Sequence, residues 1–401
     1  MIHRGSAFRM ACFSSLLFLF AGPVATTRGQ ETLTPEPATK KASPQLGGIE
    51  EVMRSFVESR QISGAVTLVG HEGKIVHLSA VGMADIEAER PMRTGTLFSI
   101  ASMTKPITAT ALMMLVEEGK VDLDDPIAMH LPVFESMKLA DGSPPERPIT
   151  IRDTLTHTSG LAGSQLFSGT LAEAVDDLAT RPLAFQPGTK WQYSPGLNVA
   201  GRIIEVVSRQ PFETFLDERI FAPLGMTQTT FFPDAKQRRR LAVIYRPGES
   251  EGTLAATANR IVDVQSTQGP NPSGGLMSTA RDMFRFYRMI LQDGRSNGKR
   301  ILAKDSVKEM LTLQTGDLKT GFTPGNGWGL GWCLVQKPQE VTSMLSPGTF
   351  GHGGAFGTQG WTDPDTQTIY VLMIQRTGMG NSDASEIRGA FQRAANEALG
   401  L

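Results

Sequence analysis

The sequence predicts an α+β fold: one antiparallel sheet assembled from both chain ends and flanked by helices, with a mostly helical domain inserted between them. Three observations predict it. Near the start, "GAVTLVGHEGKIVHLSAVG" (64–82) is two strand-like runs separated by a tight turn at "HEG". Near the end, "GTQGWTDPDTQTIYVLMIQR" (357–376) is a second hairpin, turning about Asp363-Pro364-Asp365. Between the two, helical periodicity dominates, and strands grouped apart from helices mark the α+β class. A chain of 401 residues that is 40% hydrophobic and 20% charged can bury the core this requires.

The elements follow in order. Arg4 and Arg9 precede the apolar "ACFSSLLFLFA", and small, turn-prone "GPVATT" follows. That succession reads as a signal peptide over 1–29 and implies a secreted or periplasmic protein. The apolar stretch, about eleven residues, is too short to span a bilayer. Residues 30–46 are rich in Pro, Thr and Lys and read as a disordered linker. The folded domain is then 47–401, with 47–130 and 291–401 forming the α/β part and 131–290 the mostly helical part. After the first hairpin, apolar residues at 107, 111, 112, 115 and 116 give a helix over 103–118 that Gly119 ends. "LNVAGRIIEVVSR" (197–209) and "FETFLDERIFAPLG" (212–225) are further helices, the second closed by Pro223 and Gly225. A helix over about 383–399 finishes the chain.

Charge and composition exclude several classes. Lys plus Arg total 39 against 40 acids, a net charge of −1, so no basic surplus advertises nucleic acid. Arg238-Arg239-Arg240 reads as a solvated loop. Removal of the signal would take Cys12 with it and leave Cys333, a buried inert thiol with no disulfide partner. The six histidines are scattered, without H-E-x-x-H, and "VDLDDP" (121–126) lacks calcium-loop spacing; no cofactor or metal is implied. "GRSNG" (294–298) has the letters of a nucleophile elbow, but a helix and not a strand precedes it, so it reads as a turn. Trp328, Trp332 and Trp361 fit an acyl pocket or core packing equally well.

The chemistry concentrates in "SIASMTKPITATALMMLVEEGK" (99–120). Lys105 lies three residues after Ser102, hence on the same helix face, and no other full charge occurs before Glu117. A serine hydroxyl is a poor nucleophile until a neighbour takes its proton, and a desolvated lysine can do so. Tyr193, in "FQPGTKWQYSPGLNVAG", ends a Gly/Pro-rich loop before a helix and could shuttle a proton. "FGHGGAFGTQGW" surrounds His352 with glycines, which let a substrate approach the backbone and its N–H groups. His157, in "TLTHTSGL", ties loop backbone together.

These stretches resemble the serine β-lactamase and penicillin-binding-protein superfamily: class C β-lactamases, D,D-peptidases and family VIII carboxylesterases. S-M-T-K at 102–105, Y-S-P at 193–195 and H-G-G at 352–354 stand in the family's order. The resemblance implies an α/β domain beside a helical one with the site between them. It implies that Ser102 forms an acyl-enzyme, that Lys105 and Tyr193 handle protons, and that the backbone N–H groups of Ser102 and Ala355 make the oxyanion hole. Which of Lys105 and Tyr193 is the base stays open. His352, Gly353, Gly354 and Asn198 are the expected substrate-binding residues. Two departures bear on substrate: Pro195 replaces an Asn of the β-lactamase pattern, and His352 replaces a lysine that would meet a substrate carboxylate. Both favour a carboxylesterase or acyltransferase on small esters. The alternatives are a class C-type β-lactamase or D-alanyl-D-alanine carboxypeptidase, and a non-catalytic penicillin-sensor or cell-wall-binding module. The expected partner is a small-molecule ester, or a β-lactam or peptide-like acyl substrate, with no nucleic acid and no membrane span in the mature chain.

Overall fold

Strand β1 (Gly64–His71) is buried along nearly its whole length, as only a strand covered on both faces can be. It pairs antiparallel with β2 (Lys74–Asp85) on one edge and with the last strand of the chain on the other. In this computed structural model, which describes residues 46–261, 269–321 and 323–401, that last pairing closes the two chain ends into one sheet. With β3 (Arg90–Pro91), β4 (Asn326–Trp328), β5 (Cys333–Val335), β6 (Phe350–Gly353), β7 (Gln359–Asp363) and β8 (Thr368–Met373), the order is β4-β5-β6-β7-β8-β1-β2-β3. The register Val66↔Met373 through His71↔Thr368 is what joins the two ends of the sequence. The expected signal peptide, and all of the expected linker before Leu46, lie outside the described residues. Leu46 itself is buried where the fold begins.

Alternation along β1 sorts the core into two layers. Val66 and Leu68 join the larger cluster with α2 (Thr104–Glu117) and α5 (Ala280–Leu291). Ala65 and Val69 join the smaller one with α1 (Gly47–Glu58) and α6 (Glu386–Leu399). Helix α5 packs on β1, β7 and β8, so the sheet layer takes in a helix that sequence reading grouped mostly with the helical part. Helix α2 is buried from Thr104 through Leu115 and stands at the centre, against α4 (Gly196–Ser208). The short α3 (Ile151–Thr156) carries a capping box between Thr150 and Asp153 and packs on α4.

Two local differences from the sequence reading have physical causes, and one expected turn is found as a turn. The helix expected over 212–225 widens to a π turn at Asp217–Phe221. Pro223 has no N–H to return to Arg219, which frees the preceding turn to open. The final helix starts at Glu386 and not at 383, because Ser385 is extended (ψ 142°) and accepts from the Arg388 N–H as its cap. A 3₁₀ turn, Ser382–Ala384, takes the earlier residues. "GRSNG" is the turn of a two-residue hairpin, Arg295–Ser296 with Lys299–Arg300, and Ser296 is buried. No helix among the described residues is long and apolar enough to cross a membrane.

Candidate active site

Ser102 occupies the middle of a 3₁₀ turn, Ala101–Met103, that runs straight into α2. Its predecessor Ala101 is held at φ 45°, a left-handed conformation that costs a residue with a Cβ about 1–2 kcal/mol. Surrounding bonds enforce it: Ile100 N–H to Leu276 O (2.9 Å), Met103 N–H to Ile100 O (3.2 Å) and Thr104 Oγ1 to Ala101 O (2.7 Å). The strain aims Ser102 out of the helix start, where it borders two cavities.

Lys105 is fully buried one turn along. Its Nζ lies 3.1 Å from Ser102 Oγ, 2.8 Å from Gln165 Oε1 and 2.6 Å from Ser273 O. Burial pushes its pKa well below the ordinary lysine value, against the opposing charge of Asp383. A neutral amine has two N–H donors and one lone pair. Ser273 O and Gln165 Oε1 can only accept, so they consume both donors. In that neutral form the lone pair would be left for the Ser102 hydroxyl proton.

Tyr193 approaches from the other side. The Lys105 Nζ sits 4.6 Å above its ring centroid, and its hydroxyl is hydrogen-bonded to Ser102. Burial pushes the phenol above its usual pKa, so it holds its proton. The ring packs on His157, centroids 4.5 Å apart, and His157 Nδ1 accepts from the Ser194 N–H at 3.2 Å. His157 therefore fixes the loop that carries Tyr193.

His352 lies on β6, its Nε2 3.5 Å from the Tyr193 hydroxyl. Its Nδ1 is 2.6 Å from Gly353 O; a carbonyl only accepts, so Nδ1 carries the hydrogen and Nε2 the lone pair. Burial lowers its pKa to about 4, leaving it neutral at pH 7.

Ser102 and Ala355 line both cavities. The first, about 380 Å³, is walled by Gln165, Leu166, Ile261, Ser273 and Phe356. The second, about 360 Å³, is walled by Tyr193, His352, Gly353 and Asp383. None of Trp328, Trp332 and Trp361 is among the described residues lining either. Trp332 stacks with Phe286 in the core, and Trp328 lies behind His157. Cys333 is buried too, its thiol pushed up to about 12.

Two of the expected substrate-binding residues do other work. Asn198 is buried with both ends of its amide taken, Nδ2 donating to Gln165 O at 3.1 Å and Oδ1 accepting from Ser273 N–H at 3.0 Å. It positions the partners of Lys105. Gly354 does permit a close approach, but the neighbour is protein: a Cβ there would lie 2.5 Å from Ile100 O and 2.2 Å from Thr358 Oγ1. Gln165, Asn271, Ser273 and Asp383 escaped sequence reading. Asn271 Nδ2 donates to Gln165 O at 2.9 Å and its Oδ1 accepts from Ser273 N–H at 2.9 Å. The one signal for Asn271 and Ser273 was the Pro/Gly/Asn text "GPNPSGGL" before a strand, and Gln165 and Asp383 had none.

The profile of the beta-lactamase family matches residues 49–395. The chain belongs to the beta-lactamase family. This family member is 32% identical to esterase EstB of Burkholderia gladioli, over 86% of this chain and 94% of that protein. It is 34% identical to penicillin-binding protein 4 of Amycolatopsis lactamdurans, over 74% and 76%. Among solved structures it resembles EstCE1, described as a hydrolase with promiscuous acyltransferase activity (TM-score 0.73, 25% identity, 87% of this chain and 98% of that one). Esterases, an acyltransferase and penicillin-binding proteins thus share this fold with a serine-hydrolase family member whose Ser102, Lys105 and Tyr193 converge.

Proposed function

We propose that this chain is a serine carboxylesterase or acyltransferase that acts on small esters through a covalent acyl-enzyme on Ser102. The observation that carries the reading is the Lys105 bonding count, with two obligate acceptors and one hydroxyl around a buried amine. As Ser102 Oγ attacks the ester carbonyl, its proton passes to the Lys105 lone pair. The developing oxyanion turns towards the backbone N–H groups of Ser102 and Ala355. The protonated Tyr193 phenol gives its proton to the departing alkoxide, and the proton held by Lys105 restores it. Water, or an acceptor alcohol, then repeats the attack in reverse and frees Ser102.

Ester is favoured over β-lactam because the described residues lining the second cavity include no permanent cation. His352 is neutral, and Pro195 brings no amide. The similarity to EstB and EstCE1 supports the same choice. A β-lactamase or D,D-peptidase reading draws support from the likeness to penicillin-binding protein 4. Initial rates on p-nitrophenyl butyrate and nitrocefin separate the two, and dominant nitrocefin turnover overturns the ester reading. Fluorophosphonate labelling followed by intact-mass and peptide spectrometry is expected to place the adduct on Ser102; no adduct would leave a non-catalytic binding module. We also read residues 1–29 as an export signal, which N-terminal sequencing of the exported product would show removed.

A further inference from the structure

The second cavity has a wall whose chemistry differs from the rest. Asn381, Ser382 and Asp383, in the turn ahead of α6, close it opposite Tyr193. Asp383 is 5% exposed, and its Oδ1 accepts from Gln359 Nε2 at 3.2 Å. A Cβ on Gly353 would fall 1.6 Å from that same oxygen. The carboxylate is therefore seated against the backbone of the strand that carries His352, a position only glycine leaves open. Its charge is felt at Lys105, Tyr193 and His352.

The compensating cation stands behind this wall and not in the cavity. Arg388 is fully buried and stacks 3.8 Å over Trp361. It donates to the main-chain carbonyl of Asp383 at 2.6 Å and to Gln392 Oε1 at 3.1 Å. His352 supplies no cation, since Nδ1 is bonded to Gly353 O and Nε2 faces the phenol. Among the described residues lining this cavity, Asp383 alone carries a full charge.

We propose that the second cavity is a subsite for an ammonium group on the alcohol side of the ester, that Asp383 sets this specificity, and that alcohols bearing a carboxylate are excluded. The proposal rests on the proposed function: Ser102 borders both cavities, but Tyr193, the proton donor to the leaving alkoxide in that reading, lines only the second and makes it the leaving-group side. A cation entering here meets a carboxylate across a partly dehydrated gap, where attraction is many-fold stronger than in bulk water. A substrate carboxylate meets the same charge, with no permanent cation among the described residues lining the cavity.

The test uses the full chain and three butyrate esters: the choline ester, its uncharged carbon isostere 3,3-dimethylbutyl butyrate, and the 3-carboxypropyl ester. Wild-type kcat/KM is expected to favour choline over the isostere by about 10- to 100-fold, and the isostere over the carboxylate ester by about tenfold or more. Asp383→Asn is expected to bring the choline-to-isostere ratio close to one. The ratio compares two substrates on one preparation, so partial misfolding of the variant cancels. Tetramethylammonium should inhibit isostere hydrolysis competitively in the wild type and much less in Asp383→Asn. A wild-type ratio at or below one, or a ratio that survives the substitution, overturns the subsite while leaving the esterase intact. If no ester shows Ser102-dependent turnover, the hydrolase reading fails instead. Calorimetric titration of tetramethylammonium then decides the subsite: binding to wild type but not to Asp383→Asn supports it, and no binding overturns it.

Discussion

Lys105 and Tyr193 both flank Ser102 and both are pushed by burial towards their neutral forms, yet the regions that hold them are built differently. On the α2 side, a polar net fixes the amine. Gln165 and Ser273 O take its donors, and Asn198 and Asn271 pin those two partners in turn. On the β6 side, aromatic packing holds the phenol against His157, with His352 beside it and an open cavity beyond. The difference teaches a division of labour. A net of obligate acceptors fixes the direction of the amine's lone pair, which the base role proposed for Lys105 needs. A ring wall leaves the hydroxyl facing space, where a departing alcohol must be met.

Removing the shared centre should have the largest effect. Ser102→Ala is expected to lower ester turnover by about 10,000-fold or more, read as kcat/KM, with loss of the fluorophosphonate adduct. Lys105→Met should cost about 1,000-fold or more on every ester, because the base is needed whatever the leaving group. Tyr193→Phe breaks the symmetry. It should cost about 100-fold or more on alkyl esters but far less on p-nitrophenyl esters, whose leaving group needs little protonation. Equal losses on both would assign the phenol to the base role and undo the comparison. Asn198→Ala should lower kcat by about tenfold and move the acid limb of the pH–rate profile downward, as Lys105 loses fixed acceptors that favour its charged form. A profile that stays put would make Asn198 merely structural.

The smallest effect concerns stability and acid. His77 and His352 have pKa values lowered by burial to about 4. Unfolding returns each to about 6.5, so the unfolded chain binds more protons below that pH. Stability present above pH 6.5 is expected to fall as pH drops towards 4, and thermal melts across that window check it. Replacing His77, whose Nε2 bonds Thr67 Oγ1 at 2.9 Å away from the cavities, should flatten part of the slope without touching the pH–rate profile.

The sheet and the central pair were legible in the sequence because their signals are local. Two hairpins announce themselves by alternation and turn residues, and Lys105 follows Ser102 by one helical turn. Tyr193 and His352 were legible through the ordered motif text. The Lys105 net was not, since Gln165 and Ser273 lie 60 and 168 positions from Lys105 along the chain and only folding brings them near. Asp383 stayed hidden for a related reason. Its setting depends on a glycine whose close neighbour is a carboxylate, and glycine spacing cannot name the neighbour. The same blindness hid that the Asn198 amide bonds to Gln165 and Ser273 and that the Gly354 N–H donates to Thr358 O.

The pairing of β1 with β8 reaches beyond architecture. Ser102 is translated well before β6, Ala355 and β8. A polypeptide still leaving the ribosome holds its serine without the strand that would stand beside it, so the hydroxyl proposed as nucleophile is expected to stay dormant until β6 and β8 have followed.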